Sequence, residues 1–122
     1  MGYPPAPWQM YGDLWLSLFR VADDPGRPPG VVGVAWVIYR DPSPLTYHEL
    51  LVARPRSEVG QGWERGTVTI SDIWVDSPAS HDGGRELWAI PKDLCDFTME
   101  SSQAGPLRRT SWQAAQGSSA IA

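Results

Sequence analysis

Apolar residues in this chain come in short stretches, rich in β-branched and aromatic side chains and separated by loops that carry proline and glycine. That pattern leaves little besides a sheet protein. Asp13 to Val21 reads as a strand, with Leu14, Leu16 and Leu18 on one face and Trp15, Ser17 and Phe19 on the other. Both faces are mostly apolar, so this strand is expected to be covered on both sides. Val31 to Arg40 reads as a second strand and Leu45 to Ala53 as a third. Gly66 to Val75 reads as a fourth, whose alternation puts Ile70 and Ile73 on opposite faces. Ala22 to Gly30, Asp41 to Pro44 and Arg54 to Arg65 have the composition of loops and turns.

One helix interrupts the strands. Ser77 is placed to cap it and Pro78 to open it, and it should run to about Trp88. Gly83 and Gly84 each weaken it by about 1 kcal/mol relative to alanine. Residues before Pro91 are biased out of helix. Lys92 is therefore expected just past the helix end, where the chain enters a strand near Leu94 to Glu100; a further strand is expected over Leu107 to Gln113. Strands joined by short polar turns imply a mainly β (α+β) protein: an antiparallel barrel or sandwich with one short helix, a single domain over residues 1–122. An open sheet leaves edges that invite pairing, so self-association into a homo-oligomer is expected.

Bulk properties narrow the function. The net charge is −4 and the only adjacent basic residues near the carboxy terminus are Arg108-Arg109, which argues against nucleic acid as a partner. No apolar run approaches a membrane span, and Met1-Gly2-Tyr3-Pro4-Pro5 lacks the parts of a secretory signal. A lone Cys95 fits a reducing, cytoplasmic setting. Neither His48, His81 and Cys95 nor any other set shows metal-ligand spacing, so no metal is expected. Seven tryptophans give a small sheet protein a thick core, although some of them are also suited to lining a ligand cavity.

The chemistry points to Lys92, the only lysine among ten basic residues. It follows Pro91 at the end of the largely apolar stretch Leu87-Trp88-Ala89-Ile90. Arginine stays charged at working pH, whereas a buried lysine can lose its proton and attack a carbonyl. A free lysine holds its proton by about 4.6 kcal/mol at pH 7, so a site that uses the neutral amine must supply much of that difference. Burial or a neighbouring cation does so.

The run Gly84-Arg85-Glu86, four further positions, then Pro91-Lys92 resembles the signature of the acetoacetate decarboxylase family. The resemblance extends over roughly Trp8 to Phe97 and includes a Tyr-x-Glu element, Tyr47-His48-Glu49. It implies a β-barrel with a deep apolar pocket, in which the lysine after the proline forms a Schiff base with a small β-keto acid. No cofactor is implied, because the protonated imine is itself the electron sink. Glu49 is implied as the carboxylate that faces the lysine and returns a proton to the enamine carbon. Arg85 and Trp88 are implied as substrate-binding residues; Arg85 either grips a keto acid carboxylate bidentately or, with Glu86, locks helix to sheet. His48 should face away from Glu49. Family members are longer than this chain, so the carboxy-terminal part of the barrel is expected to be missing. Members active as decarboxylases carry two adjacent lysines, and Asp93 stands at the second position. That departure leaves two alternatives open: a Schiff-base aldolase or dehydratase, and a non-catalytic barrel that binds a small molecule.

Overall fold

The computed structural model describes residues 2–21, 30–55 and 68–122. Most of the loops expected over Ala22 to Gly30 and Arg54 to Arg65, and Trp63 with them, lie outside the described residues; the ends that are described, Gly30 and Arg54-Pro55, belong to strands instead, because their backbones pair with the neighbouring strands. The elements in chain order are β1 (Tyr11–Val21), β2 (Gly30–Arg40), β3 (Tyr47–Pro55), β4 (Val68–Val75), α1 (Pro78–Trp88), β5 (Lys92–Leu94), β6 (Asp96–Ala104), β7 (Leu107–Gln116) and β8 (Ser119–Ala120). Among the described residues the protein is mainly β, with two sheets and one helix. None of the described helices is long and apolar enough to cross a membrane.

Strands β1 to β5 form one sheet in chain order, and β6, β7 and β8 form the other. The neighbours from β1 to β4 pair antiparallel, but β5 joins β4 in parallel. A purely antiparallel arrangement is thereby corrected. The cause is α1, which carries the chain from the end of β4 back to a point beside Ile73, so β5 runs the same way as β4 along its last three residues. No closed barrel forms among the described residues. The expected strand from Leu94 to Glu100 is also divided: Cys95 donates its N–H to Val75 O at 3.0 Å and ends β5, and β6 turns into the second sheet.

The first sheet has two faces with different cover. Leu50 on one face packs with Cys95 and Ala114, flanked by Val34, Trp36, Trp74, Phe97 and Ile121. Here the second sheet lies over the first. Trp36 stacks on Trp112, with centroids 5.4 Å apart, and meets Phe97 edge-on, so these tryptophans build a core. His48 is on this face too, stacked on Phe97, with its Nδ1 2.8 Å from Asp76 Oδ2.

The opposite face carries Ala35, Val37, Tyr47, Glu49, Ile73, Val75 and Lys92, and all seven are buried. α1 packs against β4 and β5 here. A bulge between Val52 and Ala53 alters the alternation expected for β4: Ile70 pairs with Ala53 and Ile73 with Leu51, so both isoleucines share this face. Leu14, Leu16 and Leu18 extend it along β1 by register with Val37, Ala35 and Gly33, yet each is more than half exposed. The expectation that β1 is covered on both sides is therefore wrong: on the other face Trp15 is partly buried, but Ser17 and Phe19 are exposed. β1 is the edge strand, three strands away from β4, and the helix does not reach it.

α1 begins as the sequence implies. The Ser77 side chain accepts from Ser80 N at 3.1 Å, and Pro78 occupies the first turn. It ends on Ala89 in the left-handed region (φ 55), with Ala89 N donating to Arg85 O and Ile90 N to Gly84 O. This cap geometry favours glycine, since alanine's Cβ costs about 1 kcal/mol there. Ala89→Gly should therefore raise stability by about 0.5–1 kcal/mol, part of the gain being offset by the freer unfolded chain. A chemical denaturation midpoint that stays put or falls would contradict the cap.

Candidate active site

Pro91 starts the chain out of the helix, and Lys92 opens β5 opposite Ile73 of β4. Successive strand residues point to opposite faces. Lys92 therefore turns under α1 and is only 4% exposed, while Asp93 turns outward and pairs with Arg85 at 3.1 Å. The helix admits the lysine because Gly84 faces it. A Cβ on Gly84 would lie 2.7 Å from Lys92 Cδ and Cε and 2.9 Å from Nζ. Gly83 serves the neighbouring contact in the same way, with the Trp8 ring where its Cβ would be. The glycine pair that weakens the helix is what lets a lysine stem and an indole lie against its backbone.

Around the amine stand groups from four parts of the chain. Lys92 Nζ donates to Ser80 Oγ of α1 at 2.9 Å, and Ser80 is fully buried. The rings of Trp8 and Tyr47 lie 5.7 and 5.4 Å from Nζ, within cation–π range. Glu49, two strands away on the same face, is 4% exposed and accepts from the Tyr39 hydroxyl at 3.1 Å. Tyr39 and Tyr47 are direct cross-strand partners with ring centroids 4.7 Å apart. The segment before β1 closes the top. Trp8 meets Trp88 edge-on at 5.0 Å and donates its Nε1 to Pro4 O, and Tyr3 hydrogen-bonds Glu86.

Electrostatics follow from this burial. Desolvation pulls the Lys92 amine below the ordinary lysine range, and the Glu49 charge opposes the shift without cancelling it. Desolvation likewise pushes the Glu49 carboxyl up, against the Lys92 charge and the Tyr39 hydrogen bond. Burial raises Tyr47 to about 12, although a hydrogen bond from Ser80 pulls the other way. Tyr39 is raised as well, first by burial and then by Glu49. The arrangement holds an amine and a carboxyl group whose charged forms are both disfavoured, in a site shut off from water. Such a pair can add to a carbonyl and move a proton.

The acetoacetate decarboxylase (ADC) family model matches residues 18–122. The chain belongs to the acetoacetate decarboxylase family. No curated protein matches it. The family match starts later than the resemblance read from the sequence, and it continues past Phe97 through β6, β7 and β8.

Two of the four site residues expected for an acetoacetate decarboxylase family member, Lys92 and Glu49, come together on one buried face. The other two stand at its rim. Arg85 donates from Nε to the Lys92 carbonyl oxygen at 2.7 Å and from Nη2 to Asp93, which fixes the backbone of the lysine. Trp88 is 44% exposed and touches Trp8, whose ring in turn lies over Nζ. Three neighbours were not legible as site residues: Ser80, Tyr39 and Trp8. Ser80 sits three residues after the capping Ser77 and reads as helix-start chemistry. Tyr39 had one signal, its place on the strand before Tyr47, which becomes informative only once the register is known. Trp8 lies in a proline-rich segment that reads as surface. Among the described residues no group of three His, Cys, Asp or Glu side chains is placed to hold a metal ion.

Proposed function

We propose that the protein forms a Schiff base between Lys92 and a small β-keto acid and releases carbon dioxide from it. The observation that carries this reading is the buried Lys92 amine, held below its ordinary pKa on the same face as Glu49. The neutral amine adds to the ketone carbon, and loss of water leaves a protonated imine. The carbon–carbon bond to the carboxylate then breaks, and its electron pair moves into the imine to give an enamine. Glu49, in its acid form, gives a proton to the enamine carbon. Water returns the ketone and the free amine. Acetoacetate decarboxylase is itself a known instance of a lysine activated for this chemistry. No cofactor takes part, and the setting proposed is cytoplasmic.

One observation favours the alternative of aldol or dehydration chemistry on the same Schiff base. Asp93 stands at the position of the second lysine and is paired outward with Arg85. Burial is then the activating device at Lys92, and the Asp93 carboxylate contributes no positive charge to depress the amine's pKa further.

Incubation with acetoacetate and borohydride, followed by peptide mapping, tests both readings, because Lys92 is the only lysine. A reduced adduct on Lys92 together with carbon dioxide release above a Lys92→Ala blank is the expected result. An adduct without carbon dioxide moves the reaction to the aldolase or dehydratase class. Absence of any adduct makes the protein a non-covalent binder and removes both enzyme readings.

A further inference from the structure

We propose that Ser80 is a catalytic residue of the amine-addition step, passing a proton between Lys92 Nζ and the carbonyl oxygen of the substrate, with Tyr47 holding the Ser80 hydroxyl in line. The proposal rests on the reading of Lys92 as a Schiff-base former and adds to it a residue and a step.

Ser80 is the hydrogen-bond partner of the Lys92 amine, at 2.9 Å, and no part of it is exposed. Its place is set by the first turn of α1, where its own N–H is tied to the Ser77 cap at 3.1 Å. Tyr47 is the other group at this hydroxyl: a bond from Ser80 pulls the phenol's pKa down, so the single Ser80 hydrogen rests on Tyr47 until a substrate oxygen takes it. A hydroxyl donates one hydrogen and accepts at two positions, so Ser80 can accept from Nζ while it donates to an oxygen. Three titratable groups face this point: Glu49 and Tyr47 from β3 and Tyr39 from β2.

The step balances without an outside reagent. The lone pair of neutral Lys92 attacks the carbonyl carbon, and the carbon–oxygen π pair moves onto oxygen. Nitrogen now carries one proton too many and oxygen one too few. Ser80 accepts the proton from nitrogen as it gives its own to oxygen, and it ends unchanged. The carbinolamine oxygen is two bonds from Nζ, so a hydroxyl within hydrogen-bond distance of the amine can reach it too. A neutral relay suits a buried site, because a separated ammonium and alkoxide would be costly in low dielectric. Glu49 is less suited to this step: its charged form cannot donate. Its proton is needed later, at carbon.

The test uses acetone and cyanoborohydride, which supplies hydride to the iminium and traps each Schiff base as a secondary amine on Lys92. The capture rate is followed against pH, at cyanoborohydride levels that no longer change it, for the wild type, Ser80→Ala and Tyr47→Phe. The wild-type rate should rise with pH to a plateau. In Ser80→Ala the midpoint should move to lower pH, since the ammonium loses an acceptor, yet the plateau should fall about 100-fold, the low end of general acid–base effects. Tyr47→Phe should lower the plateau about tenfold. A Ser80→Ala plateau within twofold of the wild type would overturn the proposal and leave Ser80 as packing, with the Lys92 reading intact. If Ser80→Ala does not fold, Tyr47→Phe decides, and an unchanged plateau overturns the relay. A wild type that captures no acetone and no acetoacetate defeats the Lys92 reading itself, a result that cannot be confused with the other two.

Discussion

The double replacement Lys92→Met with Glu49→Leu should abolish capture by acetoacetate and borohydride and should make the protein more stable, by about 1–4 kcal/mol, than the wild type. Both side chains are almost completely buried, and burial disfavours the charged form of each. Removing two charges from water costs more than their attraction usually returns, so apolar residues of similar size stabilise such a site. The single changes should behave in opposite ways. Lys92→Met leaves a buried carboxyl whose folded pKa lies above its unfolded value near 4.5. Through that window the folded state holds a proton that the unfolded state has lost. The stability of this variant should therefore fall as pH rises above the ordinary carboxylate range. Glu49→Leu leaves a lysine whose folded pKa lies below its unfolded value near 10.5. There the unfolded state binds the extra proton, and stability should climb as pH rises towards that value. Denaturant midpoints measured across pH would show the two opposed slopes. A double variant less stable than both single ones would mean that the pair is a structural anchor.

Gly84→Ala should cost about 100-fold in capture of a ketone while leaving the fold in place. An added methyl would meet the Lys92 stem at 2.7 Å, closer than carbon atoms approach. The lysine is the part that can yield, because its neighbours are helix backbone and sheet. Its amine would leave Ser80 and the rings of Trp8 and Tyr47. Displacement of a reacting atom by about 1 Å can cost about 100-fold in rate. Alanine is also the better helix former, so the helix itself gains about 1 kcal/mol. Loss of capture with an unchanged or higher melting temperature would separate this effect from unfolding. A variant that captures as fast as the wild type would show that the amine does not need its present place.

Much of the site was legible because its signals are local. Ser77-Pro78 marked the start of α1, Pro91 its end, and alternation across Lys92-Asp93 put one residue inside and the other outside. Glu49 and His48 separated onto opposite faces for the same reason. What could not be read depends on pairing between distant segments. The bulge that leaves Ser71 of β4 as an extra residue, and so brings Ile70 and Ile73 to one face, shows only in the pairing of β4 with β3. The parallel entry of β5 follows from where α1 lands, and the exposure of Leu14, Leu16 and Leu18 from β1 standing at an edge. Ser80 was hidden by its chemistry: a serine in the first turn of a helix serves the cap far more often than it serves a reaction. Gly83 and Gly84 were read only as weaknesses of the helix, although the space they leave is what admits Lys92 and Trp8.

The central claim is that Lys92 is a buried amine primed to lose its proton beside Glu49. Because Lys92 is the only lysine, selective nitrogen-15 labelling of lysine gives a single side-chain resonance, and its titration reads this amine alone. The account predicts a midpoint clearly below that of free lysine, moving lower still in Glu49→Gln, where the opposing charge is gone. A resonance that titrates at the ordinary lysine value near 10.5, unmoved by Glu49→Gln, would contradict it.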